Sequence, residues 1–166
     1  MTRGIVIWDC DGVLTRDKFS RFGGVGAFGR VTWWALRKTG IAERQMRDAE
    51  PDVLAREWMR HLHELGFTNV IRTGRLESSR KITLDWLSRH CFEGYDGIEF
   101  RGNNQELCEF KLAGVRRSAG CVIALEDNES LCREYVKLGE DAPVVLQVTD
   151  WRITATVLTA LTGGAT

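Results

Sequence analysis

The chain contains 166 residues, of which 43% are hydrophobic and 28% are charged, and its 23 basic and 23 acidic side chains balance. This composition is typical of a soluble globular domain and excludes a fibrous or intrinsically disordered chain. A chain of this length buries enough surface to form a core without disulfide or metal staples, so we expect one domain over residues 1–166.

The cysteines indicate a reducing compartment. There are five, an odd number, and none forms a C-x-x-C pair, so zinc-finger and thioredoxin-type spacings are absent. The N-terminal residues lack the apolar core and small-residue cleavage site of a signal peptide. No stretch approaches the roughly 18 apolar residues of a membrane span. We therefore expect a cytoplasmic protein without a membrane partner.

Short apolar runs alternate with amphipathic segments along the chain. Strands are predicted at residues 4–8, 69–73, 97–100, 121–125 and 144–148. Helices are predicted at about 51–65, 78–90, 105–117 and 129–138, with a last one after residue 150. Such alternation indicates parallel strands joined by right-handed crossovers. We therefore predict a three-layer, Rossmann-like α/β domain with a five-stranded parallel sheet, which binds ligands at the carboxyl ends of its strands.

Residues 15–50 are the least regular part of the sequence, and we predict a short inserted flap there. Between residues 16 and 47 there are eight basic and two acidic side chains, a local net charge of +6 that the remainder offsets. Aromatic residues are interleaved with these arginines: Phe22, Phe28, Trp33 and Trp34. Aromatic faces and cations together are used to bind single-stranded nucleic acid. The alternatives are that the arginines are simply solvated and that the tryptophans pack the flap onto the core.

Reactive side chains follow three of the predicted strands and occupy one predicted helix. They are Asp9 and Asp11 after the first strand, Thr73, Gly74 and Arg75 at the second, Glu126 and Asp127 at the fourth, and Lys111 on the helix between the third and fourth strands. The carboxyl ends of parallel strands share one edge of the sheet, so we expect these side chains to converge. Four carboxylates at one edge repel each other and raise their own pKa values, so a cation must compensate them. Oxygen ligands select Mg²⁺.

The motifs at these strand ends resemble those of the haloacid dehalogenase (HAD) superfamily of phosphohydrolases. They stand in this sequence as IWDCDGV at 7–13, VIRTGR at 70–75, Lys111, and ALED at 124–127. Their order and spacing cover nearly the whole chain. The resemblance implies a phosphatase without a large cap domain, in which the short basic insert covers the site.

The resemblance also implies a role for each motif residue. Asp9 would attack phosphorus and form an aspartyl-phosphate, and Asp11 would protonate the leaving oxygen and then activate water. This pairing suits the chemistry, because a carboxylate nucleophile divides one displacement into two and a second carboxyl acts as acid and then as base. Thr73 and Lys111 would hold phosphoryl oxygens and neutralise developing charge.

Mg²⁺ would, by the same resemblance, be held by Asp9, the backbone carbonyl of Asp11, and Asp127. The family commonly has two aspartates where this chain has Glu126 followed by Asp127. The sequence therefore leaves open which of these two acids binds the metal directly and which binds through water.

Within the superfamily, several segments look like the phosphatase domain of phage-type polynucleotide kinase-phosphatases, which remove 3′-phosphates from nucleic acid ends. They are residues 73–75, 82–87, 100–103, 126–128, 138–139 and 147–151. This likeness implies that Gly74 and Arg75 bind or position the substrate phosphate; a surface arginine paired with a helix-end carboxylate is the alternative for Arg75.

We therefore predict a Mg²⁺-dependent phosphomonoesterase acting on nucleic acid 3′-ends or nucleotides. Two alternatives stay open: a phosphatase for a small phosphorylated metabolite, and a non-catalytic nucleic-acid or partner-binding module on the same fold. A competing nucleophile is suggested by the C-x5-R spacing from Cys10 to Arg16, which is typical of cysteine phosphatases. The flanking acids Asp9 and Asp11 argue against a thiolate at that position.

Overall fold

Strands and helices alternate in the computed structural model, which describes residues 3–16, 41–118 and 120–163. The strands are β1 (Ile5–Trp8), β2 (Thr68–Leu76), β3 (Gly97–Arg101), β4 (Cys121–Glu126) and β5 (Val144–Gln147). The helices in these ranges are α1 (Ile41–Asp48), α2 (Val53–Glu64), α3 (Arg80–Arg89), α4 (Leu107–Arg117), α5 (Glu129–Val136) and α6 (Trp151–Thr162), with short 3₁₀ helices at Glu77–Ser79 and Gly139–Asp141. Among the described helices, none is both long and apolar enough to cross a bilayer.

All five strands are parallel and lie in the order β3-β2-β1-β4-β5, with β1 at the centre. Trp8, the last residue of β1, pairs with Ile71 on one side and with Leu125 on the other. The chain reverses its direction of winding at β1, and such a switch point leaves a crevice at the carboxyl ends of the strands. The predicted five-stranded parallel α/β sheet is therefore confirmed.

The two faces of the sheet bury different side chains because neighbouring residues of a strand point to opposite sides. Val6 and Trp8 of β1 belong to the larger core, which is closed by residues of α2, α3 and α6 such as Met59, Trp86 and Leu158. On the other face, Ile7 and Ala124 of the sheet pack against Val115 of α4 and Tyr135 of α5. These two cores give the three layers predicted from the alternation.

Strand β2 is longer than predicted. It does not end at Thr73 but runs to Leu76, and its register with β3 shifts between these two residues. Extra residues of this kind kink a strand and redirect its side chains. The irregularity includes Gly74 and Arg75, so it decides where the Arg75 side chain points.

The ends of the predicted insert meet at the edge of the larger core. Thr15 and Pro51 form an isolated antiparallel bridge. The last part of the insert is α1, which buries Ala42 and Met46. Just after this helix, the Ala49 carbonyl accepts a hydrogen bond from the Trp86 indole of α3 at 2.9 Å. The flap predicted for 15–50, with its aromatic residues, falls largely in residues 17–40, outside the described residues.

Candidate active site

The turn that follows β1 holds the first two carboxylates. The Asp9 N–H donates to the Leu125 carbonyl at 2.9 Å, which continues the sheet pairing by one residue. Asp9 Oδ1 accepts from the Cys10 N–H at 2.7 Å, and the turn closes where the Leu14 N–H donates to the Cys10 carbonyl at 2.9 Å. The side chain of Asp9 is buried, whereas that of Asp11 is 23% exposed. One carboxylate thus lies inside the crevice and the other at its mouth.

Gly12 allows the loops after β1 and β4 to approach each other. Its φ is +80°, in the left-handed region that favours glycine. A Cβ at this position would also overlap the Asp127 carboxylate. Conformation and close approach both require glycine here, which accounts for the DG pair in the first motif.

Lys111 extends from α4 into the crevice and is almost completely buried, with 1% exposure. Its Nζ lies 2.6 Å from Asp9 Oδ1 and 2.9 Å from Glu126 Oε2. Burial opposes the charge of the ammonium group, but the two carboxylates outweigh it and raise the pKa of Lys111 above its usual value. Lys111 is therefore a fixed cation between two acids.

Glu126, at the end of β4, uses both carboxylate oxygens. Oε2 accepts from Lys111, and Oε1 accepts from the Asn128 N–H at 3.2 Å. Asn128 caps α5 with its side chain, which accepts from the N–H groups of residues 130 and 131 at 3.0 and 3.2 Å. The acid that anchors Lys111 is thereby tied to the start of α5.

Arg75 is buried, and it holds Asp11. Its Nε lies 3.1 Å and its Nη2 lies 2.5 Å from Asp11 Oδ1, while Nη1 donates to the Thr83 hydroxyl at 3.1 Å. The Arg75 N–H donates to the Thr73 hydroxyl at 3.1 Å, and Thr73 is itself fully buried. Arg75 is 5% exposed, which removes the alternative of a surface arginine. The bend in β2 therefore serves to orient the second aspartate.

Negative charge exceeds positive charge at this edge of the sheet. The described side chains supply four carboxylates, those of residues 9, 11, 126 and 127, against three cations: Lys111, Arg75 and Arg101, whose Nε donates to the Gly74 carbonyl at 3.2 Å. Burial and the neighbouring Glu126 raise the pKa of Asp9 to about 8, although Lys111 opposes the shift. An ionised Asp9 at neutral pH thus requires further positive charge.

A cation fits this excess of negative charge. Asp9, Glu126 and Asp127 each offer a carboxylate oxygen, and these oxygens lie within 4.8 Å of one another. Hard oxygen donors of this kind suit Mg²⁺. Both Glu126 oxygens accept hydrogen bonds, so Glu126 could bind a metal only by sharing an oxygen that already has a partner.

Cys10 is an unsuitable nucleophile although it lies between the two aspartates. The side chain is fully buried, and burial raises the pKa of the thiol to about 12. A thiol in this state is protonated at neutral pH and reacts poorly. The C-x5-R spacing therefore has no chemical counterpart in the structure.

Comparison with known proteins gives matches in structure only. No family model matches the chain, and neither does any curated protein sequence. The structure of the Pnkp1/Rnl/Hen1 complex matches 89% of this chain with a TM-score of 0.61 and 16% identity, and this chain spans 46% of the length of that one. The HAD domain of an effector protein from Legionella pneumophila matches with a TM-score of 0.57 and 13% identity, over 96% of this chain and 95% of the other.

The chain has the HAD-type fold. A third match, with a TM-score of 0.55 and 14% identity, is D,D-heptose 1.7-bisphosphate phosphatase from B. bronchiseptica, whose structure contains magnesium and phosphate; it covers 97% of this chain and 99% of the other. The resemblance to HAD phosphatases stated from the motifs is thus confirmed at the level of the fold.

In this fold the predicted site residues form two groups. Asp9, Lys111 and Glu126 are in direct contact, and Asp127 lies beside them against Gly12. A second group consists of Asp11, Arg75 and Thr73. Gly74 lies between this group and α4, where an added Cβ would come within 2.8 Å of Leu107.

Sequence reasoning missed Arg72, a charged residue on β2 that is 2% exposed. Its signal was present, since a buried charge is costly unless it is paired and a charged residue inside an otherwise apolar strand indicates a partner.

Proposed function

We propose that this chain is a Mg²⁺-dependent phosphomonoesterase that works through an aspartyl-phosphate at Asp9. The observation that supports this most directly is the pair of carboxylates on one turn, each held by its own buried cation. Lys111 contacts Asp9 at 2.6 Å, and Arg75 contacts Asp11 at 2.5 Å. The proposed reaction needs two such groups in one site, one as the nucleophile and the other as the acid and base.

We also propose a metal site at the acidic residues. Mg²⁺ would be held by Asp9, the backbone carbonyl of Asp11, and Asp127, with Glu126 serving mainly as the anchor of Lys111. Bound there, the ion would offset the excess negative charge and polarise the phosphoryl group. The other groups that act in the proposed reaction are side chains and backbone groups of the chain.

In the first half of the proposed reaction, a carboxylate oxygen of Asp9 attacks phosphorus. The bond from phosphorus to the ester oxygen breaks, and its electron pair stays on the leaving oxygen. Asp11, in its protonated form, gives that oxygen its proton, so the alcohol leaves neutral and Asp11 is left as the carboxylate that pairs with Arg75. Lys111 supports this step by neutralising charge beside Asp9.

In the second half, Asp11 takes a proton from water, and the water oxygen attacks phosphorus. The bond from phosphorus to the Asp9 oxygen breaks, which regenerates the Asp9 carboxylate and releases inorganic phosphate. The Arg75 guanidinium fixes Asp11 for both transfers, and the 23% exposure of the Asp11 side chain gives access to water and to the leaving group.

Thr73 and Gly74 are proposed to contact phosphoryl oxygens. The Thr73 hydroxyl oxygen accepts from the Arg75 N–H, which leaves the hydroxyl hydrogen to be donated to a phosphoryl oxygen. Gly74 has no side chain to block approach of the substrate to the backbone at the bend of β2.

For the substrate, we propose a 3′-phosphate at a nucleic acid end or on a nucleotide. The likeness of several segments to polynucleotide kinase-phosphatases supports this proposal, as do the basic and aromatic residues of the insert. The Pnkp1/Rnl/Hen1 complex is an RNA repair complex, and this chain resembles in fold 42% of one of its chains. A phosphatase for a small metabolite is the second candidate, and the full-length likeness to the heptose bisphosphate phosphatase favours it.

The experiment is a panel of phosphate esters assayed with and without Mg²⁺. It contains 3′-phosphorylated oligonucleotides, 5′-phosphorylated oligonucleotides, mononucleotides and sugar phosphates. We expect Mg²⁺-dependent release of phosphate, fastest from the 3′-phosphorylated oligonucleotides, with an affinity that weakens steeply as salt rises. Asp9→Asn should lose at least about a thousandfold in rate because it removes the nucleophile.

The outcomes separate the candidates. Equal or faster hydrolysis of sugar phosphates, without salt-sensitive oligonucleotide binding, would support the metabolite phosphatase. Oligonucleotide binding without any hydrolysis in Mg²⁺ would support the non-catalytic module. Full activity of Asp9→Asn would exclude the aspartyl-phosphate whatever the substrate.

A further inference from the structure

Arg72 is a buried arginine of β2 that the proposed reaction does not use. We propose that Arg72 is a positioning residue that fixes Lys111 against Asp9, an inference that rests on the proposed function of Lys111. Burying a guanidinium is costly unless its donors are paired. At 2% exposure Arg72 belongs to the interior, so its contacts indicate what the buried charge does.

The contacts of Arg72 converge on the turn of α4 that carries Lys111. Nε and Nη2 both donate to the Phe110 carbonyl, at 3.0 and 2.6 Å. The guanidinium carbon lies 4.2 Å from the centre of the Phe110 ring, and Nη1 forms an ion pair with Glu99 of β3. Arg72 thus joins two strands to one peptide group of the helix.

That peptide group is the one that precedes Lys111. The Phe110 carbonyl carbon is bonded to the Lys111 nitrogen, so a shift of the carbonyl moves the Lys111 Cα with it. Lys111 Nζ has to reach two carboxylates at 2.6 and 2.9 Å. Displacement by about 1 Å is enough to weaken such contacts.

Sheet geometry places Arg72 and Asp9 on the same face. Trp8 pairs with Ile71, so Asp9 and Arg72 follow at neighbouring positions of adjacent strands. Because side chains alternate along a strand, both point towards α4, on the side of Ile7. The same layer therefore contains the nucleophile, the lysine and the arginine that holds the helix of that lysine.

Gly114 makes room for this contact. A Cβ at Gly114 would overlap the Arg72 guanidinium, and Gly114 is in the interior of α4. Glycine within a helix is less favourable than alanine. The approach of Arg72 gives a physical reason for glycine at this position.

The test is a double-mutant cycle between Arg72 and Lys111, measured by the release of phosphate in Mg²⁺. We expect Arg72→Met to lower kcat by about tenfold or more with a smaller change in KM. In the Lys111→Met background, Arg72→Met should cause little further loss, because its effect passes through the lysine. An equal loss in both backgrounds would overturn the proposal.

Gly114→Ala is the second variant, since it displaces the guanidinium without removing it. We expect Gly114→Ala to lower kcat as Arg72→Met does. Added to Arg72→Met, it should raise the free energy of unfolding above that of Arg72→Met alone, because the new methyl group then meets no guanidinium and alanine favours a helix. Leu62→Ala is the matched control for lost stability: Leu62 of α2 is fully buried in the larger core, on the other face of the sheet from Arg72 and Lys111. Leu62→Ala should leave kcat unchanged.

A readout that does not need enzyme activity is the acetylation rate of Lys111, with Lys81 as the reference because its side chain is 89% exposed. Arg72→Met and Gly114→Ala should raise the Lys111 rate at least about fivefold relative to Lys81, and Leu62→Ala should not. An unchanged Lys111 rate in both variants would overturn the positioning role. A wild-type protein that hydrolyses none of the panel would instead overturn the proposed function and leave this readout intact.

Discussion

Lys111 shows how the site keeps a charge in the interior of the protein. Its ammonium group is held by two carboxylates, so removal of either one leaves a buried charge with a single partner. The two acids at the end of β4 make different contacts. Glu126 supports the lysine with one oxygen and the α5 loop with the other, whereas Asp127 packs against Gly12 at the proposed metal site.

We predict that the amide variants of these two acids separate their roles. Asp127→Asn should raise the Mg²⁺ concentration for half-maximal phosphate release by about tenfold or more, because a ligand charge is lost. Glu126→Gln should lower kcat with a smaller change in the Mg²⁺ requirement. Titration of activity with Mg²⁺ measures both, and Glu129→Gln, at a position 62% exposed, is the control. The opposite ranking would reassign the metal ligand.

The surroundings of His90, at the end of α3, predict that the free energy of unfolding depends on pH. This effect is separate from the candidate active site. Burial, with help from Arg89 and Arg56, lowers the pKa of His90 below its usual value, and its ring packs 5.0 Å from that of Trp86. The folded state therefore prefers the neutral ring. Its contribution to stability is present above about pH 6.5 and is lost as the pH falls through the lowered pKa.

Urea unfolding of wild type and His90→Gln between pH 8 and pH 5 tests this sign. We expect wild type to lose more stability than the variant below pH 7, while the difference between the two stays constant above that pH. A difference that grows on the alkaline side instead would show that the histidine is stabilised in its charged form.

At the scale of elements, local chemistry explains where three of the six described helices begin. Asp52, Asn128 and Asp150 each precede a helix and accept hydrogen bonds from its first N–H groups. Only Asn128 belongs to the loop that carries the β4 acids. A loss of this cap therefore affects the site as well as the helix.

We predict that Asn128→Ala lowers the free energy of unfolding by about 1 kcal/mol and also lowers kcat, because the loop between Glu126 and α5 loses its anchor. Asp150→Ala removes a cap from α6, where Asp150 accepts from the Arg152 N–H at 2.8 Å. It should destabilise the protein to a similar extent with a smaller loss of kcat, because Asp150 caps α6 and does not belong to the loop of Glu126 and Asp127. Thermal unfolding and steady-state kinetics of both variants distinguish a specific loop effect from a general loss of stability.

At the scale of the whole molecule, two tryptophans donate hydrogen bonds to segments that lie far from them in the sequence. The Trp151 indole of α6 donates to the Val13 carbonyl in the turn that follows β1 at 2.7 Å, and its ring stacks on that of Trp8 at 5.9 Å. The Trp86 indole of α3 donates to the Ala49 carbonyl at 2.9 Å. The C-terminal helix therefore supports a turn that lies 138 residues earlier in the sequence.

We predict that Trp151→Phe and Trp86→Phe each cost about 1–3 kcal/mol, since each leaves a buried carbonyl without its donor. Only Trp151→Phe should lower kcat, because only its carbonyl belongs to the turn of Asp9 and Asp11. Unfolding in urea and kinetics with the preferred substrate measure the two effects. Equal kinetic losses in both variants would show that the turn depends on global stability alone.

The sequence alone determined the order of the elements and the edge of the sheet at which the motifs meet. Periodicity and turn residues are local signals, so the strands at Asp9 and Glu126 and the helix at Lys111 were predicted close to their observed positions. The parallel arrangement followed from the alternation, which placed their side chains at one edge.

Only the tertiary structure decided which of these groups pair. Lys111 meets Glu126, Arg75 turns inward to Asp11, and Arg72 holds the turn of α4. These contacts depend on the packing of α4 against the sheet and on the register shift in β2, which place together residues that lie 15, 64 and 38 positions apart. Local patterns carry no information about such distances, because side-chain pairing is fixed only when the layers close on each other.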